Sequence, residues 1–297
     1  MTPASFRVYG FLALLCAPPL VWTIDLLTAT PAIVLAAATA PALVLATAVL
    51  LVRRRSINRA YVLALLWGAT GAAFLSMHGN QLIGRTLASA EFEGRSILAV
   101  FLAPVIEEAA KALGLLLLFA VPLRRMPHVA SEETLLEGIA CGALVGIGFV
   151  WTENFLYLGI SMLQGGEAGL VAASYLRGFL GASAHAVFTA CSGAGIAWWA
   201  ARGGAAAAVA GIVVAMVQHI AWNGVAAPLV VSTLCSSAAG TMCTGHESSV
   251  LQFGGATAIA AAFLVPGFAV LWFSTTKSRS QGVTDSGDRS PSDVDRG

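Results

Sequence analysis

The chain has 297 residues, of which 58% are hydrophobic and only 10% are charged, and its mean hydropathy is +0.82. Soluble domains carry charge on roughly a quarter of their residues, so the composition excludes a soluble domain and predicts an integral membrane protein. The formal net charge is +1 and no basic stripe is present, which excludes nucleic acid as a partner. The lipid bilayer is the expected environment.

Apolar stretches long enough to cross a bilayer predict an all-α fold, a polytopic transmembrane helical bundle with about eight spans. The predicted spans cover roughly residues 8–27, 32–52, 61–83, 97–121, 135–163, 175–200, 205–230 and 250–273. The second span contains Pro41, which makes it less regular than those that follow. The first span has a second interpretation as a cleaved signal peptide, because Arg7 precedes its apolar region and small residues follow it.

The arginines and lysines between the spans predict the orientation of the chain, because they favour the cytoplasmic side of short loops. With both termini inside, the outer segments hold only Arg85, Arg95 and Arg177. We therefore expect cytoplasmic N and C termini. The chain then divides into an N-terminal part with three spans (1–96), a four-helix core (97–230), an outer loop with the last span (231–273) and a cytoplasmic tail (274–297), whose polar composition predicts disorder.

Titratable side chains are rare inside the predicted spans. Of the acidic residues only Glu107, Glu108 and Glu153 lie deep in a span, and of the five histidines only His185 and His219 do so. The helical rise places all five side chains roughly 15 to 17 Å from the outer ends of their spans. Ionised side chains cost about 2.5 to 3.5 kcal/mol each on insertion scales, so their shared depth predicts a polar pocket inside the bundle.

Helical spacing adds neighbours to this set, because residues three and four positions apart share a helix face. Lys111 follows Glu107 and Glu108 by four and three positions, so it lies beside both carboxylates. The further members of the predicted site are Trp222 and Asn223 next to His219, and Asn154 next to Glu153. For Asn154 and Trp222 a purely structural role stays open, as a hydrogen bond between helices and as packing.

Three glycines of the fifth predicted span indicate close helix packing. Gly138, Gly142 and Gly146 recur every four residues and therefore share one face. Small residues allow a second helix to approach closely. This ridge predicts a packing surface rather than a chemical site.

The predicted pocket contains the groups that hydrolysis of a peptide bond requires. A carboxylate can act as the general base toward water, and histidine and asparagine N–H groups can form an oxyanion hole. The same side chains match catalytic zinc sites, which keep an open position for water. On the residues alone, both a metal-free glutamate mechanism and a divalent metal such as zinc, held by His185, His219 and Glu108, stay open, as does the choice of Glu107 or Glu108 as the base.

Other kinds of chemistry fit the sequence less well. An HExxH motif is absent, a pair of intramembrane aspartates is absent, and a serine mechanism through Ser192 leaves the glutamates unexplained. A proton- or ion-coupled transporter is the main alternative, because intramembrane acids and histidines also form relays. Transporters often contain two related halves, whereas the polar residues here belong to four consecutive spans. An inert scaffold is a third interpretation.

Four fragments of the chain occur in the order of a known family. They are EEAAK at Glu107–Lys111, FVWTEN ending at Asn154, the histidine His185 in a small-residue helix, and HIAWN at His219–Asn223. In order and spacing they resemble the motifs of the PrsW family of intramembrane proteases, over roughly residues 97–225. That family is similar in turn to the CAAX-type prenyl-protein processing membrane proteases.

The resemblance implies a multi-pass endopeptidase of the bacterial plasma membrane that cuts membrane-anchored proteins, with anti-sigma factors as a substrate class. It implies that Glu107 and Glu108 are catalytic acids and that His185 and His219 are oxyanion donors or metal ligands. Two features depart from the CAAX-type pattern: Glu153 stands where a histidine is usual, and Lys111 replaces an arginine found one residue later. Both departures argue against prenylated substrates.

Overall fold

The computed structural model describes residues 19–53, 59–86, 98–120, 132–235 and 250–287, and every regular element in these ranges is helical. This confirms the predicted all-α membrane fold. The first helix, α1, spans Pro19–Ala29. The second, α2, spans Ala32–Arg53 and continues through Pro41 without a break.

Short π-helical segments interrupt the helices that follow. The helices are α3 (Arg59–Trp67), α4 (Ala73–Thr86), α5 (Ala103–Leu115), α6 (Glu132–Ala173), α7 (Ala182–Arg202), α8 (Ala205–Ala221), α9 (Ala227–Cys235) and α10 (Val250–Gly287). The π-helical segments are Gly68–Ala72, Leu98–Leu102, Leu116–Ala120, Ser174–Gly181 and Trp222–Ala226. Such segments widen a helical turn and are frequent at functional sites. Two of them carry Arg177 and Asn223, which line the cavity described below.

The helical stretch Glu133–Arg202 reverses direction at Gly166. Gly166 has φ 61° and ψ −149°, a conformation that residues with a Cβ rarely adopt. Gly142 faces Thr189, and Gly146 faces His185. Residue numbers thus rise along one segment while those of the facing residues fall along the other, so the two segments on either side of Gly166 run antiparallel. The stretch is therefore a hairpin of two membrane passes, which agrees with the fifth and sixth predicted spans.

Glycines form the contact between α6 and α7. A Cβ atom on Gly142 would lie 2.9 Å from the Cα of Ala190, and one on Gly146 would lie 2.7 Å from the carbonyl carbon of His185. The two backbones touch, which leaves no room for side chains and confirms the glycine ridge as a packing surface. The contact fixes the distance between the helices that carry Glu153 and His185.

A tryptophan fixes the helix that carries the paired glutamates. The Trp67 indole Nε1 donates a hydrogen bond of 3.1 Å to the backbone carbonyl of Ala110, and Trp67 is 2% exposed. Its ring lies against Gly114, where a Cβ atom would overlap the indole. Because Ala110 and Gly114 lie on α5, this contact sets the rotation of α5 about its own axis.

Five helical stretches in the described ranges are long and apolar enough to cross a membrane. They are Ala32–Val52, Arg59–Arg85, Glu133–Arg202, Ala205–Leu234 and Leu251–Trp272. α2 and α10 expose large apolar side chains such as Val44 and Phe268, which suits helices that face lipid. The count of eight spans stays a prediction, because the first predicted span begins outside the described residues.

The last helix continues past the end of the last predicted span. α10 runs to Gly287, so residues 274–287 are helical where the sequence predicted disorder. Extending an existing helix adds one hydrogen bond for each residue fixed, whereas starting a helix is costly. The membrane span can therefore nucleate a helix in a polar segment that would not form one alone. Residues 288–297 lie outside the described residues, and the division into domains stays a prediction.

We predict that Gly142→Ala destabilises the protein by about 1 to 3 kcal/mol, since the new methyl group must push α6 away from α7. Gly159→Ala on the same helix is the matched control, because a Cβ atom there meets nothing within 4 Å. Thermal unfolding in detergent measures both variants. Equal melting temperatures for Gly142→Ala and Gly159→Ala would contradict the packing contact between α6 and α7.

Candidate functional site

A buried ion pair lies at the centre of the cluster of polar side chains. Lys111 Nζ donates to Glu108 Oε1 at 2.7 Å, and both side chains are fully buried. The second carboxylate oxygen of Glu108 accepts a hydrogen bond of 3.2 Å from the Thr189 hydroxyl. Buried charges are costly unless they are paired and hydrogen-bonded, and here each oxygen of Glu108 has a partner. Glu108 is therefore held firmly between α5 and α7.

The same ion pair orients both histidines. His219 Nδ1 lies 3.0 Å from Glu108 Oε1, and because an ionised carboxylate only accepts hydrogen bonds, Nδ1 carries the proton. This leaves Nε2 of His219 with a free lone pair. His185 Nδ1 lies 2.8 Å from Lys111 Nζ, and the two imidazole rings meet edge to face with centroids 4.6 Å apart.

Two phenylalanines hold the imidazole rings from the sides. Phe149 stacks on His185 with centroids 5.6 Å apart, and Phe188 stacks on His219 at 5.5 Å. The Lys111 ammonium also lies 3.9 Å from the centre of the Phe149 ring, in a cation–π contact. Hydrogen bonds and ring packing together leave the histidines little rotational freedom.

Glu107 is the acid that faces the free side of His219. Its Oε2 lies 3.8 Å from His219 Nε2 and has no hydrogen-bond partner among the described residues. In the described part of the chain, Glu107, His185 and His219 offer ligand atoms that all lie within 4.8 Å of one another. The same Glu107 oxygen, Oε2, lies 4.0 Å from the Lys111 ammonium. A buried carboxylate oxygen that makes no hydrogen bond and lies beside two histidines fits a divalent metal, which takes two histidines and an acid in catalytic sites.

This group differs from the predicted ligand set in its acid. The sequence placed Glu108 with His185 and His219, whereas the structure places Glu107 there. The reason is that both oxygens of Glu108 already accept hydrogen bonds, from Lys111 and Thr189. Adjacent residues on a helix point about 100° apart, so only one of the two acids can face the open side of the histidines.

A second ion pair lies at the edge of the same pocket. Arg177 Nη2 donates to Glu153 Oε2 at 2.7 Å, and the same oxygen lies 3.9 Å from His185 Nε2. The guanidinium stacks on the Tyr157 ring at 3.6 Å. Asn154 fixes the arginine, since its side chain hydrogen-bonds both the backbone carbonyl and Nε of Arg177 at 3.4 Å.

Part of this polar cluster lines a cavity of about 890 Å³. Of the predicted site residues, those on its wall are Glu107, Glu153, His185, His219, Trp222 and Asn223. Glu108, Lys111 and Asn154 are buried behind the wall. The prediction that ionisable side chains from four helices converge on one pocket is confirmed, while their catalytic roles stay predictions.

The sequence interpretation missed two members of the pocket. Arg177 was placed in an outer segment because it lies only two residues inside the outer end of the sixth predicted span, and charge counting treats an arginine there as part of the loop. Its position 24 residues after Glu153, in the returning half of a hairpin, is the signal that could have revealed it. Thr189 gave no such signal, because a hydroxyl in a small-residue helix is common.

The sequence model of the PrsW family, described as intramembrane metalloproteases, matches residues 56–243. The chain belongs to this family. The matched region covers more than half of the chain and includes the buried ion pair and the metal-type cluster of Glu107, His185 and His219. Comparison with curated proteins and comparison with solved structures both gave no match.

Membership in the PrsW family makes the chain an intramembrane protease and a hydrolase, as the motif order predicted. It is a multi-pass membrane protein in a lipid environment, and its substrates are anchored in the membrane. The family favours protease function over the transporter alternative. The family description also states a metalloprotease, which agrees with the presence of a buried Glu/His/His group that could hold a metal.

We predict that Lys111→Met destabilises the protein by about 3 to 5 kcal/mol, because it leaves the Glu108 carboxylate buried and uncompensated. Adding Glu108→Gln removes that charge, so the double variant recovers much of the loss. Thermal unfolding in detergent of the two single variants and the double variant gives the coupling energy. If the two substitutions act additively, the ion pair does not carry the stability assigned to it.

Proposed function

We propose that the chain is a zinc-dependent endopeptidase of the bacterial plasma membrane that hydrolyses a peptide bond of a membrane-anchored protein. The observation that carries this proposal is the convergence of Glu107, His185 and His219 on the wall of the 890 Å³ cavity. Two imidazoles and one carboxylate are the donor types of catalytic zinc sites with an open position. The family match supports the reaction class.

In the proposed site, His185, His219 and Glu107 would hold the ion. The chemistry that zinc would supply there is Lewis-acid polarisation of the substrate carbonyl and activation of water. Glu108 orients His219, because the Nδ1–H···Oε1 hydrogen bond fixes the tautomer that presents Nε2 toward Glu107. Partners of this kind orient ligand histidines in metal sites and raise their basicity.

Glu153 is the carboxylate that we assign to proton transfer. It lines the cavity, and its Oε2 is occupied by Arg177 and lies near His185, so Oε1 remains for water. Water adds to the peptide carbonyl carbon and gives one proton to Glu153 Oε1. The same proton then passes to the amide nitrogen as the C–N bond breaks, which yields a carboxylic acid, still carrying the second proton of the water, and an amine. Arg177 holds the Glu153 carboxylate in position through the 2.7 Å contact with Oε2.

Asn223 is the residue that we assign to the oxyanion. It lies on the π-helical segment Trp222–Ala226, four positions after His219, and it lines the cavity. An amide N–H aimed at the carbonyl oxygen stabilises the negative charge that develops there. Trp222 belongs to a buried apolar cluster, which supports the packing role for that side chain.

The proposed substrates are membrane-anchored proteins, with anti-sigma factors as the class that the PrsW resemblance implies. A cavity among helices long enough to span a membrane suits a substrate that is itself a membrane helix. The positive-inside rule places the pocket near the bilayer centre or in its outer half. Cleavage close to the outer face of the membrane follows from this placement.

We predict that Glu107→Ala and Glu108→Ala each reduce cleavage roughly 100-fold or more while insertion into the membrane stays intact. The first removes the acid beside His219, and the second removes the carboxylate that orients both His219 and Lys111. Glu167→Gln, an exposed acid next to the hairpin turn, is the matched control. Cleavage of a panel of single-span reporter proteins in proteoliposomes measures all three. Full activity in both alanine variants would end this assignment.

We predict that the purified protein binds about one equivalent of zinc and that chelator abolishes cleavage. Glu107→Ala, His185→Ala and His219→Ala lose the metal, whereas Glu108→Gln binds it roughly 10 to 100 times more weakly, because it acts only through His219. Elemental analysis and competition with a chelating dye measure stoichiometry and affinity. Undiminished cleavage by metal-free protein would instead assign the reaction to glutamate-activated water.

A further inference from the structure

The wall that α4 contributes to the cavity carries polar atoms without partners. Ser76 and Asn80 both line the cavity, and Ser76 is only 1% exposed. Ser76 Oγ and Asn80 Oδ1 are buried and have no hydrogen-bond partner within the part of the chain that the structure describes. Buried polar atoms are costly when they stay unpaired. A partner inside the cavity would satisfy both.

Among the described residues, the hydroxyl groups of Ser76 and Ser192 are buried without a hydrogen-bond partner, and of these two only Ser76 lines the cavity. Thr70, Ser161 and Ser174 each donate to the backbone carbonyl four residues earlier, at 2.6 to 2.8 Å, which is the common arrangement inside helices. Ser76 makes no such bond in the described structure. Its hydroxyl hydrogen is therefore available to an acceptor in the cavity.

α4 places these two side chains next to the catalytic group. A Cβ atom on Gly79 would lie 3.0 Å from Ile106 Cγ2, so α4 touches α5 one residue before Glu107. Asn80 follows Gly79 directly and lines the same cavity as Glu107. The unpaired atoms of Ser76 and Asn80 therefore share one cavity with Glu107.

The spacing of Ser76 and Asn80 matches an extended peptide. Four residues of helix rise about 6 Å, and an extended chain repeats its N–H and C=O directions every two residues, about 6.6 Å. If an extended peptide lies along α4, Ser76 and Asn80 can therefore each contact a backbone group of successive two-residue repeats of that peptide. A helical substrate offers no such groups, because its own backbone hydrogen bonds occupy them.

We propose that Ser76 and Asn80 form a subsite that binds the backbone of an unwound, extended substrate segment beside the scissile bond. Asn80 Oδ1 accepts a hydrogen bond from a peptide N–H, and the Ser76 hydroxyl donates to a peptide C=O. The inference rests on the proposed function and deepens it. A membrane helix must lose backbone hydrogen bonds before it can be cut, and unpaired backbone groups are strongly disfavoured in lipid, so the protease supplies replacements.

The remaining cavity wall suits the side chains of such a segment. Apolar residues dominate it, among them Leu156, Ile160, Val231 and Leu234. Backbone hydrogen bonds supply affinity in strand-type recognition, and apolar pockets receive the alternating side chains. The substrate class is thus a membrane-anchored chain with a readily unwound apolar segment.

The test uses the full-length protein in detergent and a single-span peptide that carries a Gly-Gly pair in its apolar segment and a fluorophore on each side. A set of peptides is N-methylated at a single backbone amide near the cleavage position, a different amide in each peptide. Each methyl group removes one N–H donor. The protein variants are Asn80→Leu and Ser76→Ala. Ser161→Ala is the matched control, because this serine lines the same cavity and already donates to the Tyr157 carbonyl.

We expect Asn80→Leu and Ser76→Ala each to raise KM and the Kd of the uncut peptide about three- to tenfold, the size of one hydrogen bond. Bound zinc and melting temperature stay unchanged in both, and Ser161→Ala behaves as the wild type. For the wild type, we expect one of the N-methylated peptides to bind more weakly than the unmodified peptide by a similar factor. For Asn80→Leu, we expect that same N-methylated peptide and the unmodified peptide to bind equally well.

Wild-type KM and Kd in Asn80→Leu and Ser76→Ala would overturn the subsite, as would an N-methylation penalty that is equal in the wild type and in Asn80→Leu. The binding measurement separates this inference from the proposed function. If no peptide is cut but the binding differences appear, the subsite stands and the protease assignment falls. If peptides are cut and the binding differences are absent, the protease assignment stands and the subsite is wrong.

Discussion

Lys111 and Glu108 lie 2.7 Å apart with both side chains fully buried, and the rest of the pocket is built around this contact. Each charge alone is costly inside a membrane bundle, so the pairing stabilises the packing of α5 against α7 and α8. Once formed, it presents a carboxylate oxygen to His219 and an ammonium group to His185. One interaction therefore sets the orientation of two side chains on two other helices.

The precision of the site depends on small residues as much as on charge. Gly142 and Gly146 bring α6 into backbone contact with α7, and Gly195 and Gly211 do the same for α7 and α8. Helices in contact at this distance have few ways to slide or rotate. The hydrogen bonds of the pocket can then be short because the scaffold already fixes the helix positions, which is the preorganisation that catalysis by positioned groups requires.

Much of this could be predicted from the sequence, because charge inside an apolar span is costly and therefore conspicuous. Glu107, Glu108 and His219 were found on that ground alone, and helical spacing supplied Lys111. Uncharged polar residues cost little in a membrane helix, so Asn80 gave no comparable signal; its significance appears only when a cavity is seen beside it.

The sequence interpretation placed Glu108 with the two histidines, whereas the structure places Glu107 there. Glu107 and Glu108 are neighbours on one helix, and the rotation of α5 about its axis decides which of them faces the cavity. Trp67 sets that rotation through its bond to Ala110, a contact between residues 43 positions apart. Tertiary contacts of this kind cannot be read from local spacing. Arg177 illustrates the same limit, since a hairpin turn at Gly166 returns it to Glu153.

The turn at Gly166 has a consequence for the order in which the pocket assembles. Glu153, Arg177 and His185 all belong to the hairpin that this turn creates, so their contacts need no helix outside that hairpin. The acids of α5 are synthesised earlier and acquire their imidazole partners only when that hairpin and α8 have followed. During biosynthesis, Lys111 is therefore the charged partner that Glu107 and Glu108 have within α5 until the later helices are inserted.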